Sequence, residues 1–260
     1  MKPLVSVIVT TKNNEHTLSR CLFSIKQQTY KNIELIVVDN FSRDRTFEIA
    51  REFTSKVYQC GPERSSQRNL GAKKTKGTYL LFIDSDMELK PDVVSACVGY
   101  IKNLVGLVIP ERFVGEGFWT NCKILEKSCY TGGEEHVAAR FFAKKTFVKV
   151  GGYDEHLTGP EDIDLHKRVL ALGKIGTASA WITHHEGRLT LRGIVKKRYY
   201  YSLTLKRYLA KHPRTGEFSF FRSAFLRQWK KLLSDPVHAV GMLVMRFCEG
   251  LAVLIALLKS

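Results

Sequence analysis

The sequence predicts an α/β fold in which a mostly parallel sheet is flanked by helices. Up to Ile109, short apolar segments alternate with segments whose apolar residues recur at helical spacing. This βαβαβ order favours parallel strands joined by right-handed crossovers. The segment 79–83 is apolar throughout, which is typical of a strand buried on both faces.

The elements can be predicted in chain order from the same pattern. Strands are expected at 4–10, 33–39, 57–58, 79–84, 105–109, 138–144 and 178–183. Helices are expected at 15–28, from Asp44 to Phe53, at 64–76 before Gly77, at 91–103, around 147–150 and from Glu161. Residues 111–135 contain scattered glycines and predict loop or mixed structure.

Polar or acidic residues follow three of the predicted strands at their carboxyl ends. They are Thr10 and Thr11, Asp39, and the run Asp84-Ser85-Asp86. Ligands of open α/β sheets bind at these ends, so the three sets are expected to meet in one crevice. Two carboxylates spaced i, i+2 suit a divalent cation and a sugar hydroxyl. The sequence lacks GxGxxG after the first strand and any GxxxxGK[ST], which counts against dinucleotide and P-loop sites.

Asp39 and a further residue, Arg68, each allow two interpretations. Asp39 could accept hydrogen bonds from a base or ribose, or it could cap a helix or form an Asx turn. Arg68 could meet a phosphate, or it could lie on a solvated helix face with Arg64, Lys73 and Lys74.

Two downstream clusters also carry titratable groups. Five acids lie in residues 154–164, and acids at a helix N-terminus are favourable even without a catalytic role. The functional interpretation is that one of them is a general base. The pair His184-His185 follows a predicted strand and is interpreted as a source of a metal ligand.

The formal charge of +16 is concentrated near the end of the chain. Residues 187–260 hold 15 Lys and Arg against three acids, a net +12. This excess predicts an anionic partner, which could be a membrane surface, a nucleic acid or a phosphorylated substrate.

The six cysteines show no CxxC or metal-ligand spacing and predict reduced thiols in a cytoplasmic protein. A strand pattern within four residues of Met1 leaves no expected room for a signal peptide.

The basic segment is predicted to associate with a membrane surface. Residues 192–211 and 218–233 interleave basic with aromatic and aliphatic residues at helical spacing. Residues 237–258 are long enough to span a bilayer, but Arg246 and Glu249 lie near the middle, where charge is costly. A surface-lying helix or re-entrant hairpin is therefore favoured over a span. The alternative is an ordinary helical domain that covers the core.

Seven short motifs resemble those of family 2 glycosyltransferases and occur in the same order. They are Thr10-Thr11-Lys12-Asn13, Val38-Asp39-Asn40, Gln67-Arg68-Asn69-Leu70-Gly71, Asp84-Ser85-Asp86, Gly151-Gly152-Tyr153-Asp154, Glu161-Asp162 and His184-His185-Glu186-Gly187. The resemblance covers residues 3–190 and implies a GT-A (Rossmann-like) fold. It also implies an inverting enzyme that uses a nucleoside-diphosphate sugar of the UDP or GDP type with Mg²⁺ or Mn²⁺.

Residue roles follow from the resemblance, position by position. It implies that nucleotide-sugar contacts come from Thr10, Thr11, Asn13, Asp39, Arg68, Asp84 and Ser85. It implies that the metal ligands are Asp86 and either His184 or His185, with His184 preferred because it continues the strand. Asp162 resembles the catalytic base, and Glu161 and Asp154 resemble acceptor-side residues.

The expected protein is a catalytic domain at 1–190 followed by a membrane-associating extension at 191–260. The sequence lacks the QxxRW motif of processive synthases, so transfer of one sugar to a lipid-linked or cell-envelope glycan is expected. The alternatives are a polyprenyl-phosphate glycosyltransferase and a non-enzymatic module that binds anionic membranes or nucleic acid. For the enzyme no nucleic-acid partner is expected. The predicted location is the cytoplasmic face of a membrane, with peripheral or monotopic attachment.

Overall fold

The computed structural model describes residues 2–130, 138–213 and 223–259 and confirms the α/β fold. The strands are β1 Val5–Thr11, β2 Ile33–Asp39, β3 Val57–Gln59, β4 Tyr79–Asp84, β5 Met87–Leu89, β6 Gly106–Val108, β7 Glu111–Gly115, β8 Phe141–Ala143, β9 Ile175–Thr177 and β10 Ile182–Gly187. The helices are α1 Glu15–Lys26, α2 Thr46–Phe53, α3 Arg64–Lys74, α4 Val93–Tyr100, α5 Phe118–Ser128, α6 Lys144–Lys149, α7 Glu161–Leu170, α8 Leu191–Ser202, α9 Leu205–Lys211, α10 Ser223–Arg227, α11 Trp229–Ser234 and α12 Pro236–Lys259. Residues 131–137 and 214–222, which include parts of the predicted segments 111–135 and 218–233, lie outside the described residues.

The central sheet has seven strands in the order β3-β2-β1-β4-β8-β6-β9. The pairs β3–β2, β2–β1 and β1–β4 are parallel, and so is the pair β6–β9. Strand β8 runs antiparallel to both β4 and β6. The sheet is therefore mostly parallel, and its parallel half contains the strands whose carboxyl ends carry the predicted site residues.

Both faces of the sheet are buried. Consecutive residues of β4 point to opposite faces and belong to two different apolar clusters. Leu81 and Ile83 belong to one cluster with residues of α1, α2 and α4. Leu80 and Phe82 belong to a second cluster with residues of α3, α6 and α7. This arrangement explains why the sequence of β4 is apolar without alternation.

Several element bounds differ from those predicted. The helix expected at 64–76 ends at Lys74, because Thr75 adopts an extended conformation and its hydroxyl donates to the carbonyl oxygen of Ala72. The described part of the segment for which loop or mixed structure was predicted contains β7 and α5. Strand β10 begins at Ile182 and contains the histidine pair, which the sequence pattern places after a strand ending at Thr183.

The chain divides into two compact units. The first contains Met1–Arg112, Val137–Glu155 and Glu161–His185, and the second contains Phe113–His136, His156–Pro160 and Glu186–Ser260. The boundary between 190 and 191 that the sequence suggests stays a prediction. In the second unit, α12 packs against α5 and α8. Gly241 permits this close approach, since a Cβ there would lie 2.6 Å from Cys122 Sγ.

Helix α12 is one continuous helix and not a hairpin, and its two charged residues face protein. Arg246 Nη1 donates to Glu126 Oε1 of α5 at 2.5 Å. Glu249 Oε1 accepts from Lys123 Nζ of α5 at 3.1 Å and from Arg198 Nε of α8 at 3.4 Å. Both charges in the middle of the apolar run are therefore paired with α5 and α8.

Replacing Glu126 by glutamine is expected to destabilise the folded chain by about 3 kcal/mol, because removing one partner of a buried ion pair strands the other charge. Burial would raise the pKa of Glu126, but Lys123 and Arg246 lower it to about 2. The carboxylate therefore contributes stability above about pH 4.5, and this contribution is lost as the pH falls through 2. Thermal unfolding of wild type and variant from pH 7 to pH 2 measures the difference, which is expected to shrink below pH 4.5.

The exposed Glu116 supplies the control, since Glu116→Gln should leave the melting temperature unchanged at every pH. A Glu126 variant as stable as wild type at pH 7 would show that the buried network does not stabilise the second unit.

Candidate functional site

The carboxyl ends of β2, β1 and β4 lie side by side. The register pairs Thr11 with Asp39 and Thr10 with Asp84. Thr10 Oγ1 donates to Asp84 Oδ1 at 3.4 Å. Thr11 Oγ1 is buried and has no hydrogen-bond partner among the described residues, so it is available to a ligand. The register thus confirms the expectation that these strand ends converge.

Helix α3 contacts both the strand ends and a downstream segment, through Gln67 and Asn69 respectively. Gln67 Nε2 donates to the carbonyl oxygens of Thr11 and Val38 at 3.0 and 2.6 Å. Asn69 exchanges hydrogen bonds with the backbone of Tyr153, both at 2.9 Å. Gly152 makes this exchange possible, because its φ is 72° and a Cβ would lie 2.7 Å from Asn69 Oδ1.

Arg68 occupies the centre of the site. Its side chain is 1% exposed, which excludes the alternative of a solvated helix face. Nη2 donates to Asp84 Oδ1 and Nη1 to Asp162 Oδ1, both at 2.8 Å. The guanidinium also lies 5.0 Å from the centre of the Tyr153 ring. One side chain therefore joins the carboxylate that ends β4 to the carboxylate at the start of α7.

The charge of Asp84 is held by two arginines. Arg140 Nη1 lies 3.3 Å from Asp84 Oδ2, on the other oxygen from Arg68. Burial alone would raise the pKa of Asp84, but Arg68 and Arg140 hold it well below its usual range. Asp84 is therefore a stable anion that can accept hydrogen bonds from a ligand.

The acids near the start of α7 have different surroundings. Glu161 is buried, and its burial and the neighbouring Asp162 raise its pKa. Arg64 Nη2 lies 3.3 Å from Glu161 Oε1. The Asp162 side chain is 25% exposed, so it keeps access to solvent while it accepts from Arg68. Asp154 is partly exposed in the segment between α6 and α7.

The structure places the imidazole of His184, and not that of His185, beside the Asp86 carboxylate. His184 Nε2 lies 3.3 Å from Asp86 Oδ2, and its Nδ1 lies 2.9 Å from Glu111 Oε2. Burial lowers the pKa of His184, but the carboxylates of Asp86 and Glu111 raise it to about 9. His185 Nε2 instead lies 3.0 Å from Glu88 Oε2.

Asp86 and His184 fit a divalent cation that is completed by other ligands. Asp86 Oδ1 is a buried oxygen with no hydrogen-bond partner in the described part of the chain. Carboxylate and imidazole suit Mn²⁺, and Mg²⁺ commonly takes one or two carboxylates together with substrate phosphates. Across the described ranges no group of three or more His, Cys, Asp or Glu side chains is arranged as a metal site. A diphosphate and water would have to supply the remaining ligands.

The other predicted contacts stabilise the loops around these strand ends. Asp39 is fully buried and accepts from Ser42 through both carboxylate oxygens, and Gln59 Nε2 donates to its Oδ2 at 3.2 Å. The turn alternative is thus the role that the structure displays. Asn13 Oδ1 accepts from the Arg43 amide at 2.9 Å, and Ser85 Oγ accepts from the Asn14 side chain at 2.5 Å.

Sequence reasoning did not select Glu111 or Arg140. Arg140 Nε donates to Glu111 Oε1 at 2.9 Å, so the two residues connect Asp84 with His184. Glu111 follows the predicted strand 105–109, and Arg140 lies between the apolar residues 138–139 and 141–143 of the predicted strand 138–144. An acid after a strand is the same signal that identified Asp39 and Asp84.

Known proteins show the same fold over nearly the whole chain. A mannosyltransferase from Pyrobaculum calidifontis, solved in complex with GDP-Man and Mn²⁺, matches 98% of this chain and 88% of its own, with a TM-score of 0.67 and 16% identity. TarS 1-349 of S. aureus in complex with UDP-GlcNAc matches 97% of this chain and 89% of its own, with a TM-score of 0.58 and 20% identity. At these identities the likeness shows a GT-A fold alone.

Sequence comparison identifies the family. An uncharacterized glycosyltransferase of Haemophilus influenzae is 28% identical over 185 residues, which are 64% of this chain and 62% of that protein. Other curated glycosyltransferases match over about a third of this chain, and the matched part covers only 14–28% of their own length. The model of glycosyl transferase family 2 matches residues 6–229. This match covers most of the chain, which therefore belongs to glycosyl transferase family 2.

Proposed function

We propose that this glycosyltransferase is inverting and metal-dependent and moves one hexose from a nucleoside-diphosphate sugar to a lipid-linked or cell-envelope glycan. The observation that carries the proposal is the Arg68 guanidinium, which holds Asp84 and Asp162 at 2.8 Å each beside the Asp86–His184 pair. One compact group of side chains thus combines an anion for the donor, two cation ligands and a carboxylate base.

The donor side of the proposed site is the edge formed by β2, β1 and β4. Thr11 contributes a buried hydroxyl that has no hydrogen-bond partner among residues 2–130, 138–213 and 223–259, and Asp84 contributes a carboxylate that stays ionised. Thr10, Asn13, Asp39, Arg68 and Ser85 complete the proposed nucleotide-sugar contacts. The structurally similar proteins bound to GDP-Man and UDP-GlcNAc support a nucleoside-diphosphate sugar as the donor.

Asp86 and His184 are proposed to hold Mg²⁺ or Mn²⁺. When bound, the cation supplies Lewis-acid stabilisation of the negative charge that develops on the departing diphosphate. The feature that supports this role is Asp86 Oδ1, a buried oxygen that accepts no hydrogen bond within the described part of the chain.

Asp162 is proposed to act as the general base. Its carboxylate accepts the proton of the acceptor hydroxyl while the acceptor oxygen bonds to the anomeric carbon and the bond to the diphosphate breaks. A single displacement of this kind inverts the anomeric configuration. Arg68 keeps the Asp162 carboxylate oriented, and Asp162 keeps access to solvent, whereas Glu161 is buried. Glu161 and Asp154 are proposed to line the acceptor side.

The second unit is proposed to attach the enzyme to the cytoplasmic face of a membrane. One side of α12 carries nine exposed large apolar residues: Val237, Val240, Leu243, Val244, Phe247, Leu251, Leu254, Ile255 and Leu258. The helix is long and apolar enough to cross a membrane. A span would require Arg246 and Glu249 to leave their partners on α5 and α8, so a helix lying in the interface is favoured. Residues 1–190 remain the proposed catalytic domain and 191–260 the membrane extension.

Exposed basic residues favour a polyprenyl phosphate as the second candidate acceptor. Arg192, Lys196 and Lys197 on α8 and Lys206 and Arg207 on α9 are solvent-exposed. Such a cluster can attract a lipid phosphate as well as an anionic bilayer. The non-enzymatic alternative, a module that binds anionic membranes or nucleic acid, would leave the grouped carboxylates and the His184–Asp86 pair without a role.

A panel of nucleotide sugars tested with Mn²⁺ is expected to identify the donor. A donor at 100 times its Kd stabilises the fold by about 2.7 kcal/mol. For a chain of this size that corresponds to a rise of about 5–10 °C in melting temperature. Thermal unfolding with and without EDTA measures the effect, and slow hydrolysis of the best donor provides a second readout. A panel in which no UDP or GDP sugar raises the melting temperature would contradict the proposed donor class.

A further inference from the structure

We propose that Glu111 is a positioning residue that holds the His184 imidazole in the orientation and tautomer needed to bind the cation. The inference deepens the proposed function and depends on it, because it concerns the same cation. Nothing in the sequence motifs selects Glu111, which lies at the start of β7 directly after Pro110.

The two oxygens of Glu111 contact His184 and Arg140, and these side chains in turn contact Asp86 and Asp84. Oε2 lies 2.9 Å from His184 Nδ1, and the other ring nitrogen of His184 lies 3.3 Å from Asp86 Oδ2. Oε1 accepts from Arg140 Nε at 2.9 Å, and Arg140 Nη1 lies 3.3 Å from Asp84 Oδ2. Because the Glu111 side chain is only 11% exposed, solvent competes weakly for these contacts.

The chemistry of imidazole explains why this contact matters for a metal. A histidine binds a metal through an unprotonated nitrogen, and the bond made by its other nitrogen sets the tautomer. A carboxylate at Nδ1 holds a proton on that atom and turns Nε2, the nitrogen that would bind the cation, toward Asp86. Loss of such an outer carboxylate typically weakens metal binding about 10–100-fold.

The next residue supplies a matched control in the same strand. His185 forms an equivalent pair with Glu88, whose Oε2 lies 3.0 Å from His185 Nε2. The His185 Nδ1 atom lies 3.1 Å from Arg20 Nη1, so both of its ring nitrogens face groups other than Asp86. The histidine–carboxylate contact is thus present in both pairs, but of the two imidazoles it is that of His184 that lies beside the Asp86 carboxylate.

The test measures Mn²⁺ binding by the full chain through the loss of the free-ion electron paramagnetic resonance signal. Titrations use Mn²⁺ alone and then Mn²⁺ with GDP or UDP. Glu111→Leu is expected to weaken Mn²⁺ binding about 10–100-fold. Glu111→Gln keeps an oxygen that can accept from Nδ1–H, so its affinity should lie between those of wild type and Glu111→Leu. Glu88→Leu should bind Mn²⁺ as wild type does.

A purely structural role would lower the melting temperature of Glu111→Leu without changing the Mn²⁺ affinity of its folded fraction. If Glu111→Leu does not fold, the isosteric Glu111→Gln still has to bind Mn²⁺ more weakly than wild type. Equal affinities of wild type and Glu111→Gln, or an equal loss in Glu88→Leu, would overturn the role of Glu111. Failure of wild type to bind Mn²⁺ in every titration would overturn the proposed metal dependence together with it.

Discussion

Asp162→Asn is expected to lose sugar transfer by a factor of about 10²–10⁴ while nucleotide binding is retained. The asparagine cannot accept the proton of the acceptor hydroxyl, but its side-chain oxygen can still accept from Arg68 Nη1. Arg68 also keeps its bond to Asp84, so the donor side should stay ordered. Transfer assays with the donor identified in the panel, together with calorimetric titration of UDP or GDP in the presence of Mn²⁺, measure the two properties separately.

Asp86→Asn is the matched comparison on the cation side and should lose the nucleotide binding that Asp162→Asn retains. Loss of the carboxylate removes the charge that attracts the cation, so Mn²⁺-dependent nucleotide binding should disappear. His184→Ala should weaken cation binding less, because water can replace one neutral ligand. Equal loss of nucleotide binding in Asp86→Asn and Asp162→Asn would refute this division of roles, and a larger effect of His185→Ala than of His184→Ala would assign the ligand to His185.

The double variant Val240→Asp/Phe247→Asp is expected to abolish salt-resistant binding to membranes. Both side chains lie on the exposed apolar side of α12, with exposed fractions of 63% and 59%. Burying each such side chain contributes about 1.5–3 kcal/mol, so losing two should weaken binding by about 100- to 10,000-fold. Flotation with vesicles of equal phosphatidylglycerol and phosphatidylethanolamine, at low and high salt, measures the fraction bound.

Val148→Asp is the control, since it adds the same charge to an equally exposed valine on α6 in the first unit. It should bind vesicles as wild type does. Salt should weaken wild-type binding without abolishing it, because the contribution of Lys and Arg is screened whereas apolar insertion is not. Wild-type protein that stays in the supernatant at low salt would rule out the membrane role and leave α12 as a covering helix of the second unit.

Hydrophobic periodicity was enough to predict the fold class, because it reports local structure directly. The parallel strands β1, β2 and β4 were recognised from apolar runs, and their polar carboxyl ends follow from the geometry of parallel sheets. Bounds were less predictable where tertiary contacts decide them. Strand β10 includes the histidines because it pairs with β5, with Ile182 opposite Leu89 and His184 opposite Met87.

Arg68 illustrates what local patterns could not predict. Its neighbours on α3 are basic, so the sequence alone is equally compatible with a solvated helix face. Its burial depends on Asp84 and Asp162, which lie 16 and 94 residues away in the chain and supply the charge that compensates a buried guanidinium. The burial of Arg246 and Glu249 on α12 likewise depends on partners that are distant in the chain, on α5 and α8.

The sequence by itself determined the α/β class, the family resemblance and the candidate residues at the strand ends, since these depend on local pattern and on motif order. Only the tertiary structure decided which candidates meet. It placed the imidazole of His184 rather than that of His185 beside the Asp86 carboxylate. It also engaged Asp39 in hydrogen bonds to Ser42 and added Glu111 and Arg140 between Asp84 and His184. These choices depend on distances between side chains from separate strands, which the order of residues along a chain does not specify.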